Sequence, residues 1–363
     1  LCLCTLIPDY KMVKFGGSHH HAVAVVTGGG DGMGLQLALR LARAGCDVAM
    51  CDIDRAKLRA AEVKVAAAAA GGAVVSAHEC DVSAAEEVHD LPRAVAAAHP
   101  GLSGRTLLLF NNAGIAGGMS LVTDPKEAFD KVLRVDLHGV LACTRAFLPL
   151  LLAAPAAHVV NTSSVCGLYA NLGYLRPNVA YTTAKFAVRG FTLALLEDFK
   201  LNAPHIKATC VCPGWIGTGI IETSTNMLAA DLLGEIRKGS ARVRARIAAL
   251  KREGDPATLK LEKLGLLESQ MTDLSQVSDE QLKNLSMMLG PGFRHTALTS
   301  AEDAADIILK GVADDDIEVL VGPDAHGIAE LIRRDERALY EDGSIVPAFF
   351  EYDNWEMNRE SKL

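Results

Sequence analysis

Short apolar segments alternate with longer amphipathic segments through the first two thirds of the 363-residue chain. Strands that are buried on both faces of a parallel sheet are continuous apolar runs, and segments of helical period cover such sheets. Strands are predicted at 22–27, 46–51, 73–78, 106–110, 158–162 and 206–211. Helices are predicted at 35–44, 55–70, 84–98, 125–152 and 180–199. This order predicts an α/β fold with a doubly wound parallel sheet of the Rossmann type.

The alternation stops after Gly214. Residues 215–300 are charged and are predicted to be helical without a strand, before 317–321 supply the last strand. A connection this long inside a compact domain is usually functional. We therefore predict a single Rossmann-type domain with a long helical insertion that forms a lid. The predicted divisions are an N-terminal extension (1–21), the domain (22–323, with the insertion at 215–300) and a C-terminal helix and tail (324–363).

Composition and charge exclude several classes of function. The net charge of −8 gives no basic field for nucleic acid or an anionic membrane. The chain has no run of about 18 apolar residues, so no membrane span is predicted. The nine cysteines form no CxxC pair, which favours a reduced intracellular setting and no metal site. Cys210 and Cys212 are expected to point to opposite faces of their strand, and His19–His21 are given no metal role.

The chain ends in Ser361-Lys362-Leu363, which matches the address that the peroxisomal import receptor reads at a C-terminus. We therefore expect a peroxisomal protein that binds this receptor, with a cytoplasmic location as the alternative.

A glycine-rich turn joins the first strand to the first helix, from Thr27 to Gly34. Glycines let a backbone turn sharply and approach a pyrophosphate, which then lies on the N-terminal amides of the helix. Asp52 ends the next strand and can accept hydrogen bonds from an adenosine ribose. Asp52 and Asp31 would both repel a 2′-phosphate, so NAD is favoured over NADP. Arg55 could pair with such a phosphate, but a salt bridge with a neighbouring acid is its simpler role.

Tyr181 and Lys185 are four residues apart in a predicted helix, so the two side chains share one face. A free phenol has a pKa near about 10, and a neighbouring cation lowers it. Such a tyrosine can exchange a proton with a bound alcohol or ketone.

These motifs together resemble the short-chain dehydrogenase/reductase family, closely over residues 22–219 and loosely over 300–323. The resemblance implies that Ser164, Tyr181, Lys185 and Asp136 are catalytic, with Ser163 as the competitor of Ser164. It also implies the following cofactor-binding residues: Gly28, Gly30, Asp31, Gly32, Met33, Gly34, Asp52, Ile53, Asp81, Val82, Asn112, Ala113, Gly114, Tyr181, Lys185, Pro213, Gly214, Ile216 and Thr218. Asp81 would contact the adenine, and Ile216 and Thr218 the carboxamide of the nicotinamide. A homodimer or homotetramer through the helices near 126–152 and 179–201 is implied as well.

The sequence departs from the family pattern at two places. Asp136 stands where the family usually carries an asparagine that positions a water in the proton relay. An ionised Asp136 near Lys185 would offset the cation that lowers the pKa of Tyr181. In addition, the gap from Ser164 to Tyr181 is four residues longer than usual, with an inserted loop at 171–178. This loop borders the substrate in the family, so it bears on specificity.

The predicted function is the transfer of a hydride between NAD and a small-molecule secondary alcohol or ketone, with an apolar, lipid-like or acyl substrate. Two alternatives stay open, namely an enoyl-CoA reductase of the same fold and a non-catalytic NAD-binding sensor or scaffold. The insertion holds basic residues that could meet the phosphates of an acyl-CoA or could form a solvated helix face. They are Arg237, Lys238, Arg242, Arg244, Arg246, Lys251 and Arg252. Apolar residues at helical spacing in the same segment suit a substrate pocket or core packing. They are Leu232, Leu233, Ile236, Val243, Ile247 and Leu250.

Overall fold

The structure, a computed structural model, describes residues 22–122, 124–170, 178–220, 241, 244–254, 294 and 297–342. Seven parallel strands form one sheet in the order β3-β2-β1-β4-β5-β6-β9. The strands are β1 (Val23–Thr27), β2 (Asp47–Asp52), β3 (Val75–Glu79), β4 (Leu107–Asn111), β5 (Ala157–Thr162), β6 (Ile206–Pro213) and β9 (Glu318–Val321). The predicted α/β fold with a doubly wound parallel sheet is confirmed. The strand order reverses between β1 and β4, which opens a crevice beyond their carboxyl ends.

Helices cover both faces of the sheet, and most of them begin and end within a few residues of the predicted bounds. They are α1 (Gly32–Arg43), α2 (Arg55–Ala68), α3 (Ala85–Ala98), α4 (Lys126–Leu133), α5 (Val140–Ala153), α6 (Val179–Asn202), α7 (Ala301–Ala313) and α8 (Pro323–Asp342). Residues 244–253 are also helical.

Side chains alternate along each strand, so the core consists of two clusters, one on each face of the sheet. Val23 and Val25 of β1 face a cluster with Phe147 on α5, while Ala24 and Val26 face a cluster with Leu37 on α1. All five residues of β1 are buried. A continuous apolar run is therefore required here, because both faces of the strand need apolar side chains.

The long helix predicted at 125–152 contains one wider turn. Arg134–Gly139 form a π-helix between α4 and α5, and Asp136 lies in it fully buried. Such turns are rare and occur mostly at functional sites. The combined stretch Lys126–Ala153 is long and apolar enough to cross a membrane by length and composition alone. However, Val132, Phe147 and Leu151 pack in the core of the sheet, as expected for a core helix.

Both ends of the insertion are held together by a short sheet. β7 (Ile216–Gly217) pairs in parallel with β8 (Thr299–Ser300). The prediction that 215–300 contains no strand is therefore wrong at both of its ends. A two-residue strand has too few side chains to show an alternating pattern, so the periodicity could not have revealed this pair.

The prediction for Cys210 and Cys212 is also wrong. Their Sγ atoms are 3.8 Å apart on the same face of β6. The side-chain period of a strand is two residues, so residues i and i+2 share a face and only i and i+1 point to opposite faces.

His158 on β5 is buried, and its Nε2 lies 2.8 Å from Thr209 Oγ1 on β6. Burial, with a smaller effect of Lys207, lowers the pKa of His158 to about 3. In the unfolded chain, an imidazole titrates near about 6.5. Between these two values the unfolded state binds a proton that the native state does not bind, so stability falls as the pH falls.

We predict that His158→Gln removes part of the acid sensitivity of the fold. From pH 7 to pH 5, the free energy of unfolding of the wild type should fall by about 2 kcal/mol more than that of the variant. Urea unfolding at the two pH values measures this difference. His89→Gln is the control, because the side chain of His89 is 87% exposed. Equal losses for the wild type and His158→Gln would contradict the prediction.

Candidate active site

A pocket opens beyond the carboxyl ends of the strands, where the sheet order reverses. It is lined by most of the residues that the sequence predicts for cofactor binding. These are Gly28, Asp31, Gly32, Met33, Asp52, Ile53, Asp81, Val82, Asn112, Ala113, Gly114, Tyr181, Lys185, Pro213, Gly214, Ile216 and Thr218. Ser164 also lines the pocket, whereas Gly30, Gly34 and Asp136 lie behind its surface.

The glycine turn is shaped by backbone geometry that side chains would prevent. Gly28 and Gly32 have φ angles of +65° and +54°, in the left-handed region that glycine tolerates best. A Cβ on Gly34 would lie 2.0 Å from the carbonyl oxygen of Gly28, so only glycine lets α1 approach the turn. Asp31 is the N-cap of α1, and its Oδ1 accepts a hydrogen bond from Gly32 N at 2.7 Å. These features fit the pyrophosphate of a dinucleotide at the N-terminus of α1.

Thr27 and Asn112 fasten the glycine turn to the segment after β4. The Oγ1 of Thr27 accepts hydrogen bonds from the backbone N–H groups of Asn112 and Ala113, at 2.9 and 3.0 Å. The side-chain amide of Asn112 donates to the carbonyl of Thr27 at 3.0 Å. Asn112 therefore positions the wall of the pocket through the backbone.

Asp52 lines the pocket and braces the glycine turn. Its Oδ2 accepts a hydrogen bond from Gly30 N at 2.9 Å, and its Oδ1 accepts one from Asp54 N at 3.0 Å. Arg55 forms an exposed pair with Glu79 at 3.6 Å. Its simpler predicted role, a salt bridge with a neighbouring acid, is confirmed.

The charge of Asp31 is largely compensated, which the sequence did not reveal. Its Oδ2 lies 3.3 Å from Lys57 Nζ and 3.0 Å from Arg294 Nη2. Burial opposes ionisation of Asp31, but Gly32 N–H and the two cations together lower its pKa. Lys57 itself lines the pocket. The repulsion that the sequence predicts between Asp31 and a 2′-phosphate is therefore weaker than expected.

Tyr181 and Ser164 lie together at the other end of the pocket, since α6 carries the first and the end of β5 leads to the second. Ser164 accepts a hydrogen bond from Cys166 N at 3.1 Å, and it acts on the phenol of Tyr181 in the direction that lowers its pKa. Ser163 instead donates its hydroxyl hydrogen to the carbonyl oxygen of Lys185 at 2.7 Å. This arrangement favours Ser164 for contact with a substrate oxygen and gives Ser163 a structural role.

Lys185 and Asp136 form a buried ion pair behind Tyr181. The Nζ of Lys185 lies 3.0 Å from Asp136 Oδ2, and the two side chains are 3% and 0% exposed. The same Nζ donates to the carbonyl of Thr162 at 3.1 Å and lies 5.3 Å from the ring centroid of Tyr181. The other carboxylate oxygen of Asp136 accepts a hydrogen bond from Ile115 N at 2.9 Å.

The electrostatics of Tyr181 differ from the sequence-based expectation. Burial raises the pKa of its phenol well above the usual value, and the charge of Asp136 raises it further. Burial also raises the pKa of Asp136, although Lys185 opposes that shift. In the protein alone the net shift of the Tyr181 pKa is therefore upward, with burial as its largest cause and Asp136 acting in the predicted direction.

Asp324 is a positioning residue that sequence reasoning missed. It lies in the first turn of α8, is 4% exposed, and accepts a hydrogen bond from Trp215 N at 2.6 Å. A Cβ on Gly214 would lie 2.2 Å from its carboxylate oxygens. Asp324 thus holds the loop that brings Pro213 and Gly214 to the pocket. An Asp directly after a Gly-Pro helix start is a capping signal that could have indicated it.

The basic and apolar residues predicted for the insertion do not line the pocket, as far as the structure describes them. Ile247 and Leu250 are buried, which fits the packing role proposed for them. Arg246 lies 3.8 Å from Glu253 in an exposed pair. The remaining predicted basic and apolar residues of this segment lie outside the described residues, except for Arg244, Lys251 and Arg252. The predicted loop at 171–178 is likewise described only at Asn178.

The family profile described as short chain dehydrogenase matches residues 22–229. The chain belongs to this family. SadH of Mycobacterium tuberculosis, whose name calls it an oxidoreductase, is 38% identical over 203 residues, which cover 56% of this chain and 70% of SadH. Epidermal retinol dehydrogenase 2 of Mus musculus is 34% identical over 204 residues, which cover 56% of this chain and 63% of that protein. The match therefore spans just under two thirds of the length of the retinol dehydrogenase.

A solved structure shows the same fold. The short-chain dehydrogenase/reductase from Burkholderia phymatum, crystallised in complex with NAD, has a TM-score of 0.61 at 24% identity. The alignment covers 89% of this chain and 94% of the Burkholderia chain. The family membership makes this short-chain dehydrogenase an oxidoreductase, and the predicted resemblance is confirmed.

We predict that Asp136→Asn shifts the pH dependence of alcohol oxidation to lower pH. In this direction Tyr181 acts as a base, so the rate rises with pH as the phenol ionises. The substitution removes a negative charge that raises the pKa of Tyr181, and the rising limb should move down by about one pH unit.

The measurement is kcat/KM against pH for the wild type and Asp136→Asn. Asp130→Asn is the matched control. Asp130 also pairs with a lysine, Lys126, but its side chain is partly exposed. Superimposable profiles for the wild type and Asp136→Asn would show that Asp136 does not tune the phenol.

Proposed function

We propose that this oxidoreductase transfers a hydride between NAD and an apolar secondary alcohol or ketone. The observation that carries the proposal is the juxtaposition of Ser164, Tyr181 and Lys185 with the glycine turn around one pocket. The residues fit a dinucleotide, with Gly28–Gly34 at the pyrophosphate, Asp52 at the adenosine ribose and Lys185 at the nicotinamide ribose. A bound nicotinamide supplies the hydride acceptor or donor.

The chain's own residues supply the proton chemistry. The phenol of Tyr181 exchanges a proton with the substrate oxygen, and Ser164 donates a hydrogen bond to that oxygen. Lys185 holds its position through Asp136 and the carbonyl of Thr162. Tyr181 is partly buried and lines the pocket, so a bound substrate can reach its phenol.

Exposed apolar side chains near the start of α6 and beside Gly214 support an apolar substrate. The loop after β4 is attached to the start of α6, where Val179 N donates to Met119 O at 3.0 Å. Met119, Leu121 and Val122 of this loop are 41%, 68% and 88% exposed, and Trp215 beside Gly214 is 41% exposed. The name of the related epidermal retinol dehydrogenase 2 agrees with an apolar alcohol. The peroxisomal location, the import receptor and the homo-oligomer stay predictions.

We predict that Tyr181→Phe abolishes measurable turnover. NADH formation should be followed with secondary alcohols of increasing apolar size, and the variant should lose about 10²- to 10⁴-fold in kcat. NAD binding, measured by calorimetry, should change little. Tyr340→Phe is the control, because Tyr340 is exposed and contacts the backbone of Ala170.

The alternatives give different outcomes in the same experiment. A non-catalytic sensor would bind NAD tightly without turnover of any alcohol, and the ion pair of Lys185 with Asp136 is the feature that favours it. An enoyl-CoA reductase would oxidise NADH with an unsaturated thioester and leave ketones unchanged. A preference for a CoA thioester over the free alcohol would support phosphate contacts by the basic residues of the insertion.

Cofactor preference provides a separate prediction. Asp52→Asn keeps an oxygen that can accept the hydrogen bond of Gly30 N but removes the charge, so kcat/KM with NADP relative to NAD should rise about tenfold or more. Arg55→Gln should leave the ratio unchanged, since Arg55 pairs with Glu79. An unchanged ratio in Asp52→Asn would overturn the assignment of Asp52, and a fall in Arg55→Gln would assign the 2′-phosphate to Arg55.

A further inference from the structure

Two thiols and a carboxylate converge on the face of the sheet that α6 and α8 cover. Cys210 and Cys212 lie on β6, and Glu318 lies on β9 directly beside Cys210 in the strand register. The Sγ atoms are 3.8 Å apart, and Cys212 Sγ is 4.0 Å from Glu318 Oε2. All three ligand atoms lie within 4.8 Å of one another. The site is separate from the cofactor pocket, which does not include these side chains.

The spacing matches the coordination of a divalent cation by thiolates. In a tetrahedral zinc site the Zn–S distance is about 2.3 Å, which separates two sulfur ligands by about 3.8 Å. A carboxylate oxygen at about 2.1 Å from the same ion lies about 3.6 Å from each sulfur. Glu318 Oε2 would therefore need to approach Cys212 Sγ by only about 0.4 Å from its observed position.

We propose that Cys210, Cys212 and Glu318 form a binding site for a thiophilic divalent cation of the zinc type. The cation replaces the thiol protons of both cysteines and takes a water as its fourth ligand from the side of Glu318. The side chain of Glu318 is 28% exposed, so solvent and ions reach the site there. Leu168, Leu320 and Ile332 surround the two sulfurs and limit other access.

Arg189 controls the availability of the carboxylate. Its Nε lies 2.5 Å from Glu318 Oε2, the same oxygen that faces Cys212. A cation at the thiols must displace the guanidinium, whose side chain is 35% exposed and can move into solvent. The hydrogen bond with Cys210 and burial raise the pKa of Cys212, so the cation must displace the proton of this thiol.

The test uses the full-length protein, reduced and stripped of metal with a chelator. Cadmium is added stepwise, and the ultraviolet absorbance of cadmium thiolate is recorded. Zinc affinity is measured by competition with a chromophoric chelator. One equivalent of cadmium should saturate the signal in the wild type. Cys210→Ser and Cys212→Ser should each abolish it, and Glu318→Gln should weaken zinc binding about 10- to 100-fold.

Arg189→Gln separates this site from accidental binding to thiols. Since it releases Glu318 from its ion pair and removes a nearby positive charge, zinc should bind more tightly than in the wild type. Adding Glu318→Gln to this variant should remove much of the gain, whereas binding by thiols alone would keep it. Cys51→Ser is the matched control, because the thiols of Cys51 and Cys80 also hydrogen-bond each other. This variant should keep the full cadmium signal.

Several outcomes would overturn the proposal. They are the absence of a saturable cadmium signal in the wild type, a signal lost in Cys51→Ser, and zinc affinities that do not change in Glu318→Gln and Arg189→Gln. Because these last two substitutions change partly exposed side chains, they test the site even if the cysteine variants fail to fold. Circular dichroism of each variant shows whether it folds.

Discussion

The ion pair between Lys185 and Asp136 is the interaction on which the arrangement of the pocket depends. Two charges removed from water are stabilised only when they are close together and their remaining hydrogen-bonding groups have partners. Here the partners are the carbonyl of Thr162 at the end of β5 and the N–H of Ile115 after β4. The pair therefore joins α6, the π-helical turn and two strand ends. A change in any of these elements would leave a buried charge without its partner.

The same pair explains how the protein differs from a simple tyrosine–lysine arrangement. A lysine beside a phenol favours the phenolate, but a carboxylate beside that lysine reduces the effect. Burial raises the pKa of the phenol in the same direction as the carboxylate does, since a phenolate is less stable in a poorly hydrated environment than in water. The chemistry of Tyr181 thus depends on three groups and on how much water reaches them.

Charge compensation recurs at the other end of the pocket. Asp31 caps α1 and is met by Lys57 and Arg294, the second of which is 263 positions away in the chain. Arg294 also lies close to Gly219, where a Cβ would be 2.4 Å from Nη2. With the β7–β8 pair, this contact attaches the end of the insertion to the glycine turn. Binding at the pocket and the position of the insertion are therefore connected through direct contacts.

The sequence alone determined the fold class, the seven strands of the main sheet and most of the pocket. The reason is local: most of the apolar runs are strands buried on both faces, and Gly28, Asp52, Asn112 and Ser164 lie at or just after their ends. Parallel strands bring all these ends to one edge of the sheet, whatever the remaining side chains are. The placement of Cys210 and Cys212 on one face also follows from the two-residue period of a strand.

Only the tertiary structure decided the partners of the charged groups. Asp136 was expected near Lys185, but its complete burial and its effect on Tyr181 depend on the π-helical turn. The compensation of Asp31, the support of the Gly214 loop by Asp324 and the meeting of Cys212 with Glu318 all join distant parts of the chain. Such contacts have no local pattern, because they arise from the packing of elements rather than from the periodicity within one element.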